Sequence, residues 1–177
     1  VKPIPRDRQW CLAPVSAGAQ RAWLTDRGSL TARLQRHAGA ITVRVLFQGL
    51  RRANADEAFL FAPATRRVLV REVLLMRGAQ PLVFAHTVLD AAALRGPWRR
   101  VAGLGNRPLG AALFADPRIA RDPLRQKKIG RAHPLHRRVS ALLPGLPATL
   151  WARRSLFALG RSPILVSEVF LPGMAPL

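Results

Sequence analysis

Two apolar, β-branched runs separated by a short connection constrain this chain most. They are RRVLVREVLLM (Arg66 to Met76) and PLVFAHTVL (Pro81 to Leu89), linked by Arg77-Gly78-Ala79-Gln80. Such runs read as strands, and a link this short, with Gly free to take positive φ, folds them back on each other as an antiparallel hairpin. The pattern recurs near the C-terminus, where SLFALGRSPILVSEVFLP reads as two strands around Gly160-Arg161. A further stretch, ITVRVLFQ, places Ile41, Val43, Val45 and Phe47 on one face and Thr42, Arg44 and Gln48 on the other, the alternation of a half-buried strand.

Helix-compatible segments lie outside these hairpins, at Ala19 to Leu24 and at Ser29 to His37, where Ser29 can cap the first turn. Strands gathered in hairpins, with helices beside rather than regularly between them, predict an α+β fold. The expectation is one domain over residues 1–177, an antiparallel sheet with flanking helices rather than a doubly wound parallel one. The stretch from Arg121 to Thr149 is basic and broken by Pro123, Pro134, Pro144 and Pro147. It is expected to be a surface excursion with a short helix near His136 to Leu143.

Composition narrows the partners. A chain of 177 residues that is 49% hydrophobic can bury one sizeable core. Cys11 is the only cysteine, so no internal disulfide is possible and a reducing cytoplasm is the expected setting. No apolar run reaches the roughly 20 residues that span a bilayer, and the start, VKPIPRDRQW, lacks the apolar centre of a signal peptide. The net charge of +20, from 29 Lys+Arg against 9 Asp+Glu, raises nucleic acid as a rival partner. No helix-turn-helix, RNP or zinc signature accompanies the basic run Arg95, Arg99 and Arg100 around Trp98, so solvated arginine is the preferred reading and nucleic acid is not expected. Excess positive charge equally suits a multiply anionic small substrate.

Charged residues out of pattern mark the candidate site. Alternation puts Arg71 in line with Leu69, Val73 and Leu75, and Glu168 in line with Ile164, Val166 and Phe170. A guanidinium held among apolar side chains needs an anion. That anion is either a ligand or a neighbouring carboxylate; a buried pair of Arg71 with Glu168, or pairs with Glu72 and Arg44, are the structural alternatives. In GLGNRPLGAALF, Gly103, Gly105 and Asn106 supply a turn and Pro108 suits the start of a helix, whose first amides, Leu109 among them, are free to hold a carboxylate. The Gly-Lys-Ser/Thr ending of a phosphate-binding loop is missing.

Other reactive residues carry less. Cys11 reads as a small core hydrophobe, and His133 with His136 lack the acidic or thiol partners of a metal site. His86, in line with Phe84 and Val88, is either a ligand contact or a hydrogen-bonded sheet histidine. Ser167 has no G-x-S-x-G elbow.

Taken together, GSLTARLQ (Gly28 to Gln35), REVLL (Arg71 to Leu75), HTVL (His86 to Leu89), LGNRPLGAALF (Leu104 to Phe114), LWARRSLF (Leu150 to Phe157) and SEVFLP (Ser167 to Pro172) resemble, in order, blocks of the bacterial chorismate lyase family. That resemblance implies a cofactor-independent lyase that turns chorismate into 4-hydroxybenzoate and pyruvate, the step that opens ubiquinone synthesis, in a monomer of the cytoplasm. Matched by motif, it implies substrate contacts from Arg71, Leu109, Glu168 and Leu30, with Arg71 and Glu168 the catalytic pair. Leu30 stands where Met is usual, and His86 where some members carry Arg. The stretch 121–149 is longer than in compact members. A non-catalytic module that binds a small carboxylate on a related fold is the alternative.

Overall fold

A computed structural model describes residues 10–12, 18–62 and 67–174. The starting sequence at 1–9 and Arg66 of the first strand run lie outside the described residues. Along the chain the elements are α1 (Arg21–Thr25), α2 (Leu30–Ala38), β1 (Thr42–Arg51), β2 (Val68–Arg77), β3 (Gln80–Asp90), α3 (Arg99–Ala102), α4 (Leu109–Ala115), β4 (Ile119–Arg121), β5 (Arg125–Gly130), α5 (Pro134–Leu142), β6 (Thr149–Leu159) and β7 (Ser162–Phe170). Among the described residues the seven strands form one antiparallel sheet in the order β1-β2-β3-β7-β6-β4, with β5 also paired to β6. The α+β antiparallel reading therefore holds.

Both expected hairpins form on two-residue turns. Arg77 pairs with Gln80 and Leu159 with Ser162, and Gly78 and Gly160 take φ of 56° and 59°, which a residue with a Cβ adopts only at a cost. The first is less regular than its turn suggests. Met76 faces Pro81 but Leu75 faces Val83, so Leu82 is an extra residue in β3 and the register beyond it is shifted by one. Ser29 caps α2 as expected, accepting from the Ala32 amide at 3.4 Å.

The sheet is covered on both sides. On one face α1, α2, α3 and α4 contribute Trp23, Leu24, Leu34, Val101 and Leu113 to cores built on Val43, Val73, Leu75, Phe157 and Ile164. On the other, α5 and the 58–60 turn bring Leu135, Val139 and Leu60 onto Leu74, Phe84, Val70 and Val88. Every residue of β2 from Val68 to Met76 is consequently buried. Burial on both faces, rather than one, is what the near-continuous apolar run of β2 requires.

The stretch 121–149 corrects the expectation of a surface excursion. Its helix is present as α5, but β5 pairs with β6 from Arg125↔Arg154 to Gly130↔Thr149, and Ile129, Leu135 and Val139 are no more than 1% exposed. Its prolines lie outside the strand or in the first turn of α5, where a missing N–H costs nothing. The C-terminal hairpin is likewise longer than its apolar run: β6 starts at Thr149, and the Arg153-Arg154 pair that interrupts the pattern is buried within it.

Candidate active site

A pocket opens on the face covered by α2 and α4, and its floor is made of two adjacent rows of the sheet. One row runs Arg71↔Thr87↔Val166↔Ser155 and the next runs Val73↔Ala85↔Glu168↔Arg153, each pair in register across neighbouring strands. Alternation places these residues on one face and their chain neighbours Glu72, His86, Ser167 and Arg154 on the other. Leu30, the first residue of α2, and Leu109, the first of α4, line the pocket above the floor. The structure thus brings all four motif-matched residues, Leu30, Arg71, Leu109 and Glu168, around one cavity.

Arg71 and Glu168 do not pair with each other. Arg71 is 2% exposed and donates to the Gln48 side-chain oxygen at 2.9 Å, the Gly105 carbonyl at 3.0 Å and the Arg107 carbonyl at 3.3 Å, all neutral acceptors. Burial alone pushes its guanidinium below the usual range, with no carboxylate opposing the effect. Gly105 reaches this position through φ of 51°, the left-handed turn that aims its carbonyl at Arg71. Glu168 is instead held by Arg153, whose Nε donates to Oε2 at 2.6 Å. Arg153 is 1% exposed, and its Nη1 also donates to the carbonyls of Trp23 and Asp26 at 2.8 and 2.9 Å, tying the end of α1 to the floor.

Leu109 opens α4 after Pro108, which offers no side-chain cap, so the first amides of this helix are available to an anion. Gly110 allows α4 to lie close over the start of α2: a Cβ there would stand 3.2 Å from the Ser29 hydroxyl. A third cation, Arg121 of β4, lines the same pocket and donates through Nε and Nη2 to the Ser155 hydroxyl at 3.0 and 2.7 Å.

His86 lies on the opposite face and does not line the pocket. It is buried between Glu72, 3.3 Å from Nδ1, and Glu57, whose Oε1 is 3.1 Å from Nε2 as an ionic contact without hydrogen-bond alignment. Burial pushes the imidazole down, but the two carboxylates outweigh it and hold its pKa up at about 9. Glu72 also accepts from Arg138 of α5 at 2.7 and 2.8 Å, and against the cost of burial His86 and Arg138 hold its carboxyl down at about 2. The same contacts lock α5 to the sheet. His133 and His136 serve α5 as well, the first accepting from the Leu135 amide and the second bonding the Pro147 carbonyl. Among the described residues no group of His, Cys, Asp and Glu is placed to hold a metal, and Cys11 is exposed, bridging Gln126 through its backbone, rather than in the core as expected.

The chorismate lyase family model matches residues 11–175 of the chain. The chain belongs to the chorismate lyase family. It is 44% identical to a probable chorismate pyruvate-lyase of Methylobacillus flagellatus, covering 97% of both chains, and 46% identical to one of Nitrosospira multiformis, covering 95% of both. A third, from Azoarcus sp., is 49% identical over 89% of this chain and 86% of its own. Among solved structures it is similar to the ligand-binding domain of a putative GntR-family transcriptional regulator from Bordetella bronchiseptica (TM-score 0.52, 20% identity, 76% of this chain and 86% of that one). The C-terminal domain of the histidine utilization repressor from Pseudomonas syringae is similar too (TM-score 0.52, 13% identity, 78% and 96%). At these identities the likeness to the regulators is one of fold: the chorismate lyase family shares its sheet and helix arrangement with them.

The residues that the sequence reading passed over are Arg153, Arg121 and Ser155. A signal for Arg153 exists, since a two-residue turn at Gly160-Arg161 puts position 153 opposite position 168. No comparable local signal exists for Arg121, which reaches the pocket only because β4 pairs with the far end of β6.

Proposed function

We propose that this protein is a chorismate lyase that releases pyruvate from chorismate and leaves 4-hydroxybenzoate, the reaction that opens ubiquinone synthesis. The observation that carries the reading is the pocket floor, where a buried guanidinium without a carboxylate partner, Arg71, shares one face with a carboxylate fixed by its own arginine, Glu168. Arg71 and the Leu109 amide grip the ring carboxylate, and Leu30 forms an apolar wall against the ring. Glu168 accepts a hydrogen bond from the 4-hydroxyl.

In the reaction the C3–O ether bond breaks, C4 loses its hydrogen, and the departing enolpyruvyl group gains one to become pyruvate. The ring becomes aromatic, which supplies the driving force. A cyclic transfer of the C4 hydrogen to the vinyl carbon needs chiefly a near-attack geometry, and a floor anchored at Arg71 and at the Arg153–Glu168 pair is suited to impose it. With Oε2 engaged by Arg153, Glu168 has its other oxygen to orient the 4-hydroxyl.

Purified protein mixed with chorismate should release 4-hydroxybenzoate, followed by ultraviolet absorbance, with pyruvate in equal amount. Chorismate bound but not consumed would identify a binding module instead and overturn the reading.

A further inference from the structure

The pocket carries more positive charge than one carboxylate substrate needs. Arg71, Arg121 and Arg153 line it together with a single carboxylate, Glu168, and Arg153 is committed to that carboxylate at 2.6 Å. Two guanidiniums are left without an anionic partner among the described residues. Arg71 bonds only neutral acceptors, and Arg121 donates to the Ser155 hydroxyl twice and to the Arg27 carbonyl. Of the five N–H donors of a guanidinium, those bonds leave two on Arg121 for a ligand.

Arg121 is also held as a binding group is held. Its guanidinium carbon lies 5.2 Å from the ring centre of Phe114 and 5.1 Å from that of Phe157, while Ser155 grips one edge. The two rings, 5.8 Å apart, flank the guanidinium from one side and limit its movement there. Burial, with the charge of Arg153, pushes it below the usual guanidinium range although Glu168 and Asp26 act in the opposite sense, and an added anion would offset the remaining cost.

Position decides which anion. Ser155, the residue that holds Arg121, ends the row that begins at Arg71 and passes through Thr87 and Val166. Three strand spacings separate the two ends, about 14 Å between backbones, and both Arg71 and Arg121 line the pocket.

We infer that Arg121 is the subsite for the second carboxylate of the substrate, the one on the enolpyruvyl group, so that Arg71 and Arg121 hold a dicarboxylate end to end. This rests on the chorismate reading and deepens it. A pocket with two unmatched cations suits the dianionic substrate better than either product, since cleavage leaves one carboxylate on 4-hydroxybenzoate and the other on pyruvate. Cleavage therefore divides the grip between two molecules, and the ether bond lies between the two anchors, over Glu168.

The test compares Arg121→Met, which keeps length and removes charge, with Arg121→Lys, using chorismate turnover and 4-hydroxybenzoate binding by fluorescence or calorimetry. Loss of a charged, forked contact should lower kcat/KM for chorismate by about 10- to 100-fold in the Met variant. The Kd for 4-hydroxybenzoate should stay within about two-fold, which also reports that the variant is folded, and Lys should recover part of the loss. Pyruvate should compete with chorismate in the wild type and not in Arg121→Met.

Equal weakening of chorismate and 4-hydroxybenzoate, or no change in either, overturns the subsite while leaving the lyase reading intact. A wild-type protein that does not consume chorismate overturns the lyase reading and the subsite with it. Should Arg121→Met fail to fold, competition in the wild type decides: pyruvate and 4-hydroxybenzoate binding simultaneously supports two subsites, and mutual exclusion overturns them.

Discussion

Arg153 and Glu168 stand directly opposite each other on β6 and β7, and the Arg153 Nε lies 2.6 Å from the Glu168 Oε2. A cross-strand pair whose arginine is almost wholly buried is an all-or-none arrangement, because removing one partner strands the other charge. Glu168→Gln is therefore expected to destabilise the protein by about 3 kcal/mol, read from urea midpoints, and to lower kcat for chorismate. If the variant turns over normally, Glu168 has no part in the reaction and serves only Arg153.

Arg71 should not tolerate its nearest chemical substitute. Its two terminal nitrogens reach Gln48 on one side and the Gly105 and Arg107 carbonyls on the other, a span that an ammonium cannot cover. Arg71→Lys is expected to lower kcat/KM by about 100-fold, a loss of about 2–3 kcal/mol of the kind seen for charged hydrogen bonds. Binding of 4-hydroxybenzoate should weaken in parallel, and titration of the variant with that ligand measures it. Unchanged affinity would remove Arg71 from the carboxylate site.

Gly105→Ala probes the same contact from the other side. At φ of 51° an alanine is strained, by about 1 kcal/mol, and the carbonyl that receives Arg71 must shift. Thermal unfolding should report a small loss of stability, with a rise in KM larger than any change in kcat.

His86 predicts how stability depends on pH. Its pKa is held up at about 9 against an ordinary 6.5, so the ionic cluster with Glu57 and Glu72 contributes fully below about pH 6.5 and is lost as pH rises through about 9. Glu72 works in the opposite sense: held down at about 2 against 4.5, its contribution is present above about pH 4.5 and is lost as pH falls toward 2. Urea midpoints from pH 6 to pH 10 should decline in the wild type and decline less in His86→Phe. Equal slopes would mean that the cluster is not what titrates.

Much of this molecule is legible in its sequence. Alternation marked β1, apolar β-branched runs marked β2, β3, β6 and β7, two-residue links marked both hairpins, and Ser29 marked the start of α2, because each is set by local backbone preference and side-chain period. The family blocks carried Leu30, Arg71, Leu109 and Glu168, which the fold gathers around one pocket. What alternation could not supply was the register beyond Leu82. Counting back from the turn without that extra residue sets His86 opposite Arg71; with it, His86 faces Glu72 on the far side of the sheet and Thr87 takes the place beside Arg71. Nor could it show that 121–149 completes the sheet, or that the buried Arg153 and the half-buried Arg121 line the pocket. Those outcomes depend on pairing between segments far apart in the chain and on a sheet covered on both faces. A charge out of pattern can be recognised locally, but its partner is chosen only when the strands meet.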